Sequence, residues 1–224
     1  MKYIYKFEKF IPSFSPSITM NYMIAVPEDY DPKEKLPMVT FLHGAGEVGD
    51  DPEKIRVNGP PKYVTDGFDV RMILLAPQVP HWRYVWNNLM EQTMELIKKV
   101  SLEYNADSDR ISLTGLSMGG YGTWDIAASN SDYFSAIAPI CGGGMAWRAV
   151  CYGDLPIRTF HGQADDVVSV TNTIDMVDAI NAIRTEKVDC VLLREVKHLS
   201  WDFAYTQTNL IEWLITQDRK NRKL

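Results

Sequence analysis

The chain is 224 residues long, with 46% hydrophobic, 23% charged and 11% aromatic residues. That balance excludes wholesale disorder and allows a core that needs no metal or disulfide staple. With 23 basic and 29 acidic side chains the net charge is −6, the wrong sign for a nucleic-acid binder.

Tyr3–Phe10 alternates apolar and polar residues and reads as a strand. Thr19–Val26 reads as a second, joined to it by turn chemistry at Ile11-Pro12-Ser13-Phe14-Ser15-Pro16. The two are expected to form an antiparallel edge. The pattern then changes. Short apolar runs recur at Pro37–His43, Met72–Pro77, Arg110–Thr114, Ala136–Cys141, Ile157–His161 and Cys190–Val196, most bounded by Gly, Pro or Asp. Continuous apolar strands suit a parallel sheet covered on both faces. Helical spacing appears between several of them. It runs through Leu89, Thr93, Leu96, Ile97, Val100 and Tyr104, then Tyr121, Trp124, Ile126 and Ala128, then Ile174, Val177 and Ile180. Phe203, Leu210, Ile211, Leu214 and Ile215 mark a last helix, and the basic stretch from Arg219 to Lys223 is expected to be its solvated end. Strand–helix alternation predicts an α/β fold with an eight-stranded, mostly parallel sheet and helices on both faces, as one domain over residues 1–224.

No apolar run approaches the roughly 18 residues of a membrane helix, so integral membrane association is not expected. MKYIYKFEKF interleaves Lys2, Lys6, Glu8 and Lys9 with its apolar residues and has no secretory core. The expected location is cytoplasmic, or secreted if a leader has been removed. The three cysteines, Cys141, Cys151 and Cys190, have no metal spacing and read as reduced thiols, although Cys141 and Cys151 could pair.

The chemistry begins at Gly115-Leu116-Ser117-Met118-Gly119-Gly120, a G-x-S-x-G between a predicted strand and a predicted helix. A serine on so tight a turn needs flanking residues without side chains, and the following helix N-terminus favours negative charge. A serine hydroxyl is a weak nucleophile near neutrality and needs a base with something to orient it. In this setting the order along the chain is Ser, acid, His. Of the four histidines only His161 and His198 follow Ser117, and only His198 lies beyond Asp165 and Asp166. His198 also follows the last predicted strand, where ligand chemistry of open α/β sheets is found. Spacing does not choose between Asp165 and Asp166; the other could cap the helix that starts near Ser169 or Thr171.

A second Gly-rich turn, Phe41-Leu42-His43-Gly44-Ala45-Gly46-Glu47, ends a strand and can aim a backbone N–H at a developing oxyanion. Ala45 is the candidate, with Gly46 the alternative, and Met118 after the nucleophile supplies the other N–H. His43 is expected to orient this loop. Glu47, Asp50, Asp51 and Glu53 read as a solvated acidic loop, with bracing of the site by Glu47 the alternative.

His43-Gly44-Ala45-Gly46-Glu47, Gly115–Gly120 with Tyr121-Gly122-Thr123-Trp124, Pro139-Ile140-Cys141-Gly142-Gly143-Gly144, His161-Gly162-x-x-Asp165 and His198-x-x-Trp201 together resemble the α/β-hydrolase superfamily. They look most like its phospholipase/carboxylesterase-like branch, which includes feruloyl-esterase-like enzymes and proteins called predicted peptidases. The resemblance runs from about Leu36 to Trp213. It implies that the acid is Asp165, the last position of His-Gly-x-x-Asp, although the family often has proline where this chain has Asp166.

The expected activity is a serine esterase with Ser117, His198 and Asp165 as triad, acting on a small-molecule ester without a cofactor or metal. An amide hydrolase, an acyltransferase on the same triad and an inactive binding module are the alternatives. Cys141 to Pro156, where many superfamily members insert a cap, holds room for a loop or short helix only, so the site is expected to be open. Met145 and Trp147 in this link, with Trp82 and Trp86, are candidates to line an acyl or aryl site. Trp201 is expected to pack beneath the histidine loop.

Overall fold

Two antiparallel strands, β1 (Tyr3–Phe10) and β2 (Met20–Pro27), form the expected edge of a larger sheet. The computed structural model describes residues 1–66 and 69–222. The sheet continues with β3 (Met38–Leu42), β4 (Ile73–Pro77), β5 (Ile111–Leu116), β6 (Ala136–Ile140), β7 (Arg158–Gly162) and β8 (Asp189–Leu193). Its spatial order is β1-β2-β4-β3-β5-β6-β7-β8, with β2 antiparallel to β4 and every later pairing parallel.

Strands β3 to β6 are buried at every position, as a sheet covered on both faces requires. Period-two alternation divides the core. Tyr22, Ile24, Met38, Leu42, Ile73 and Leu75 face one layer, while Met23, Ala25, Val39, Phe41, Leu74 and Ala76 face the other. The first layer packs against α2 (Met90–Glu103), α3 (Met118–Ser129) and α4 (Thr171–Ile183). The second packs against α1 (Pro60–Asp66), α5 (Ser200–Thr206) and α6 (Leu210–Thr216). Among the described residues, three helices lie on each face of a mostly parallel eight-stranded sheet, the α/β-hydrolase architecture.

Three expectations change. The last predicted helix is two. Thr208 Oγ1 donates to the Ala204 carbonyl at 2.6 Å and accepts from the Leu210 N–H at 3.2 Å, so its side chain substitutes for helical backbone bonds at the break. Helix α1 was not expected, although two prolines at its start suit a first turn. The basic tail is docked rather than solvated. Arg219 donates to the Asp132 carbonyl and pairs with Asp109, and Arg222, with 7% of its side chain exposed, pairs with Asp154 at 2.8 Å. Lys223 lies outside the described residues.

The β6–β7 link holds a seven-residue 3-10 turn, Ala146–Tyr152, and no separate cap. Cys141, Cys151 and Cys190 are free. Among the described residues no helix is long and apolar enough to cross a membrane.

Candidate active site

Strand β5 runs into α3 through Ser117, whose φ of 53° and ψ of −117° lie where non-glycine residues are strained. The flanking glycines make that turn possible. A Cβ on Gly115 would lie 2.5 Å from the Gly119 carbonyl oxygen, and one on Gly119 would lie 1.9 Å from that of Leu42. Neither position tolerates a side chain. The Ser117 N–H donates to the Ile140 carbonyl at 2.9 Å, which ties the elbow to the neighbouring strand.

Loops after β7 and β8 bring the other two residues to the serine. They are stitched by Gln163 N–H to the Leu193 carbonyl at 2.9 Å and Ala164 N–H to the Val196 carbonyl at 3.0 Å. His198 Nε2 lies 2.9 Å from Ser117 Oγ, and His198 Nδ1 lies 2.8 Å from Asp165 Oδ2. A carboxylate only accepts, so Nδ1 carries the proton and Nε2 is free to take one from the serine. The Asp165 side chain is fully buried, and its Oδ1 accepts from the N–H groups of Val167 and Val168, each at 2.9 Å. Burial opposes its charge, but the bonds from His198, Val168 and Val167 outweigh it and hold the carboxyl below its ordinary pKa. Asp166 turns outward and pairs with Lys197 at 2.8 Å, so it neither reaches His198 nor caps α4. Trp201 stands edge-on to His198, centroids 5.3 Å apart, and is buried as expected.

The β3 loop lies against this elbow. A Cβ on Gly44 would sit 3.6 Å from Ser117 Cβ. Ala45 and Met118 are the first residues of the helical segments Ala45–Glu47 and α3, where N–H groups have no acceptor within the helix. His43 is buried and neutral. Its Nδ1–H donates to the Gly44 carbonyl at 2.6 Å, and its Nε2 accepts from the Val79 N–H at 2.9 Å. Burial holds its pKa down to about 4. Glu47 departs from the solvated-loop reading: it is buried, accepts from Asn58 and lies 3.8 Å from His43, while Asp50, Asp51 and Glu53 are exposed. Charge patterning along the sequence cannot distinguish one inward carboxylate among four.

The aromatic candidates divide. Trp82, Met145 and Trp147 are exposed. Trp86 is fully buried and lines no substrate surface. Its Nε1–H donates to the His43 carbonyl at 2.9 Å, its ring packs edge-on to the imidazole, and a Cβ on Gly122 would meet it at 2.3 Å. Sequence reasoning passed over His161, which the structure places on Asp165, with Nε2 3.1 Å from Oδ2. Its position four residues before that aspartate was the available signal. Among the described residues no group of three or more His, Cys, Asp or Glu side chains could hold a metal ion.

No family model matches the chain. It is 31% identical to a thermostable esterase of known structure, at a TM-score of 0.83, over 96% of this chain and 63% of that one. A feruloyl esterase module from Clostridium thermocellum complexed with sinapinate superposes at a TM-score of 0.76, with 15% identity, over 96% of this chain and 89% of the module. Over 135 residues the chain is 27% identical to a bifunctional acetylxylan esterase/xylanase from Neocallimastix patriciarum, which covers 59% of this chain and 20% of that protein. The chain thus spans less than two thirds of the thermostable esterase and a fifth of the curated relative. Sheet order, the strained serine between β5 and α3 and these likenesses agree: the chain has the α/β-hydrolase fold.

Proposed function

We infer that the chain is a serine hydrolase that cleaves carboxylic esters, with residues 1–224 acting as one domain. The observation that carries this is the continuous relay from Ser117 Oγ through His198 to Asp165, at 2.9 and 2.8 Å. Ser117 Oγ bonds to the substrate carbonyl carbon while its proton passes to His198 Nε2. Asp165 keeps the imidazole in the required tautomer and stabilises the imidazolium. The N–H groups of Ala45 and Met118, each at the start of a helical segment, receive the oxyanion. Collapse breaks the ester C–O bond, and the alcohol leaves with the proton from His198. Water then attacks the acyl-enzyme, giving its proton to His198, and the acid is released as Ser117 recovers its own.

Acetyl and feruloyl esters are the first substrates to try, given the relatives that carry those names. Trp82, Met145 and Trp147 are exposed, and each is a candidate to meet the acyl or alcohol part. A fluorophosphonate probe tests the reading: wild type is expected to label and Ser117→Ala not. A panel of acetyl, long-chain and aryl esters beside amides then identifies the substrate class. An unlabelled wild type, or equal labelling of Ser117→Ala, would overturn it.

A further inference from the structure

Asp165 Oδ2 receives two imidazoles. His198 Nδ1 lies 2.8 Å from it and His161 Nε2 lies 3.1 Å from the same atom. The proton positions on His161 follow from its partners. Nε2 faces two acceptors, Asp165 Oδ2 and the Val168 carbonyl at 3.0 Å, so Nε2 carries a proton shared between them. Nδ1 lies 2.7 Å from the Thr173 hydroxyl of α4, which can donate to it or to the Gly142 carbonyl at 2.8 Å. The ring is fully buried, and burial lowers its pKa against the opposing pull of the Val168 carbonyl and Asp165. The two acceptors at Nε2 place its N–H toward the carboxylate.

This rests on the hydrolase reading above. We propose that His161 is a positioning residue for the triad: by donating to the oxygen that receives His198, it limits the proton affinity of His198. The amides of Val167 and Val168 already fix the other oxygen, so Asp165 keeps its orientation without His161. What His161 controls is how much of the carboxylate's charge reaches His198. A carboxylate oxygen relieved of one donor attracts the imidazolium more strongly, and the base becomes harder to deprotonate.

Among the described residues, the other groups around the pair keep their protonation state near neutral pH. Ser117 faces His198 as a hydroxyl and Trp201 of α5 as an indole. The neighbouring Lys197 is turned outward onto Asp166. Tyr121 of α3 and Cys141 after β6 both sense Asp165, but burial raises the phenol and pushes the thiol up to about 12. Thr173 cannot titrate, so His161 and His198 are left to share one charge.

Two substitutions separate this role from packing. His161→Gln can place an amide N–H where Nε2 stood; His161→Asn can meet Thr173 but not reach Asp165. In His161→Asn the acid limb of the kcat/KM pH profile is expected to move up by about half a pH unit with KM unchanged. His161→Gln is expected to stay near wild type. An unmoved or lowered limb in the Asn variant, or an equal shift in both, overturns the proposal. If His161→Asn does not fold, wild-type imidazole N–H resonances answer the same question without substrate. The His161 Nε2–H signal must shift as His198 titrates; if it does not, His161 does not sense the shared charge and the proposal fails. Because that readout needs no turnover, it stands apart from failure of the esterase reading, which the absence of probe labelling would reveal.

Discussion

His43 donates through Nδ1 to the carbonyl of Gly44 at 2.6 Å, and that carbonyl belongs to the same planar peptide as the N–H of Ala45. The two ends of a peptide point in opposite directions, so holding the carbonyl aims the N–H. Val79 fixes the tautomer by donating to Nε2. His43→Ala frees this peptide. The expected result is a fall in kcat of about 10-fold or more with little change in KM, since loss of an oxyanion donor outright costs roughly 100- to 1,000-fold. His43→Asn keeps a donor near the Nδ1 position and should recover part of the loss. Steady-state kinetics on an activated acetyl ester would show it, and an Ala variant with wild-type kcat would remove His43 from the aiming of Ala45.

The adjacent aspartates give a sharper contrast. Asp165 is buried on His198, whereas Asp166 is exposed on Lys197. Asp165→Asn places an amide where the carboxylate held the tautomer, and kcat is expected to drop by roughly 10,000-fold. Asp166→Asn removes an exposed surface pair, which contributes little, and should leave kcat within twofold. Comparable losses in both variants would contradict the assignment of the acid.

These two cases mark what the sequence disclosed. All eight strands were legible because buried parallel strands leave dense apolar runs, and the elbow because its glycines answer to a steric demand. Asp165 and Asp166 were indistinguishable by spacing, since a turn sends neighbours in different directions that composition does not encode. Trp86 was misjudged for the same reason: an indole packed on His43 and one exposed like Trp82 look alike in one dimension. The break between α5 and α6 depended on one hydroxyl at Thr208, and the docking of the tail on carbonyls more than eighty residues away.

Acid should destabilise the protein through His43. Its pKa falls from 6.5 to about 4 on folding because burial disfavours the charged ring. Below 6.5 the unfolded chain takes up a proton that the folded chain refuses, so stability is lost as pH drops from about 6.5 toward 4. The window spans 2.5 pH units, or roughly 3 kcal/mol at 1.36 kcal/mol per unit. The buried His161, also lowered, acts in the same direction. Urea unfolding at a series of pH values would measure this. His43→Phe is expected to flatten the slope across that window, and an unchanged slope would exclude His43 as its source.

Arg222 closes the fold from the far end of the chain. Its guanidinium donates to Asp154 Oδ1 at 2.8 and 3.0 Å and to the carbonyls of Ser131 and Phe134 at 2.7 and 3.1 Å. With 7% of the side chain exposed, this pair is shielded far better than an ordinary surface ion pair. Arg222→Ala leaves one carboxylate and two carbonyls without their donor, at a cost of about 2 to 4 kcal/mol. For a protein of this size that is a drop in Tm of roughly 4 to 16 °C. Lysine has the charge but not the planar fork, and cannot serve Asp154 and two carbonyls at once. Arg222→Lys should therefore recover less than half of the loss. Thermal unfolding of both variants decides the matter: a Tm within 1 °C of wild type for Arg222→Ala would mean that the tail contributes nothing to the folded state.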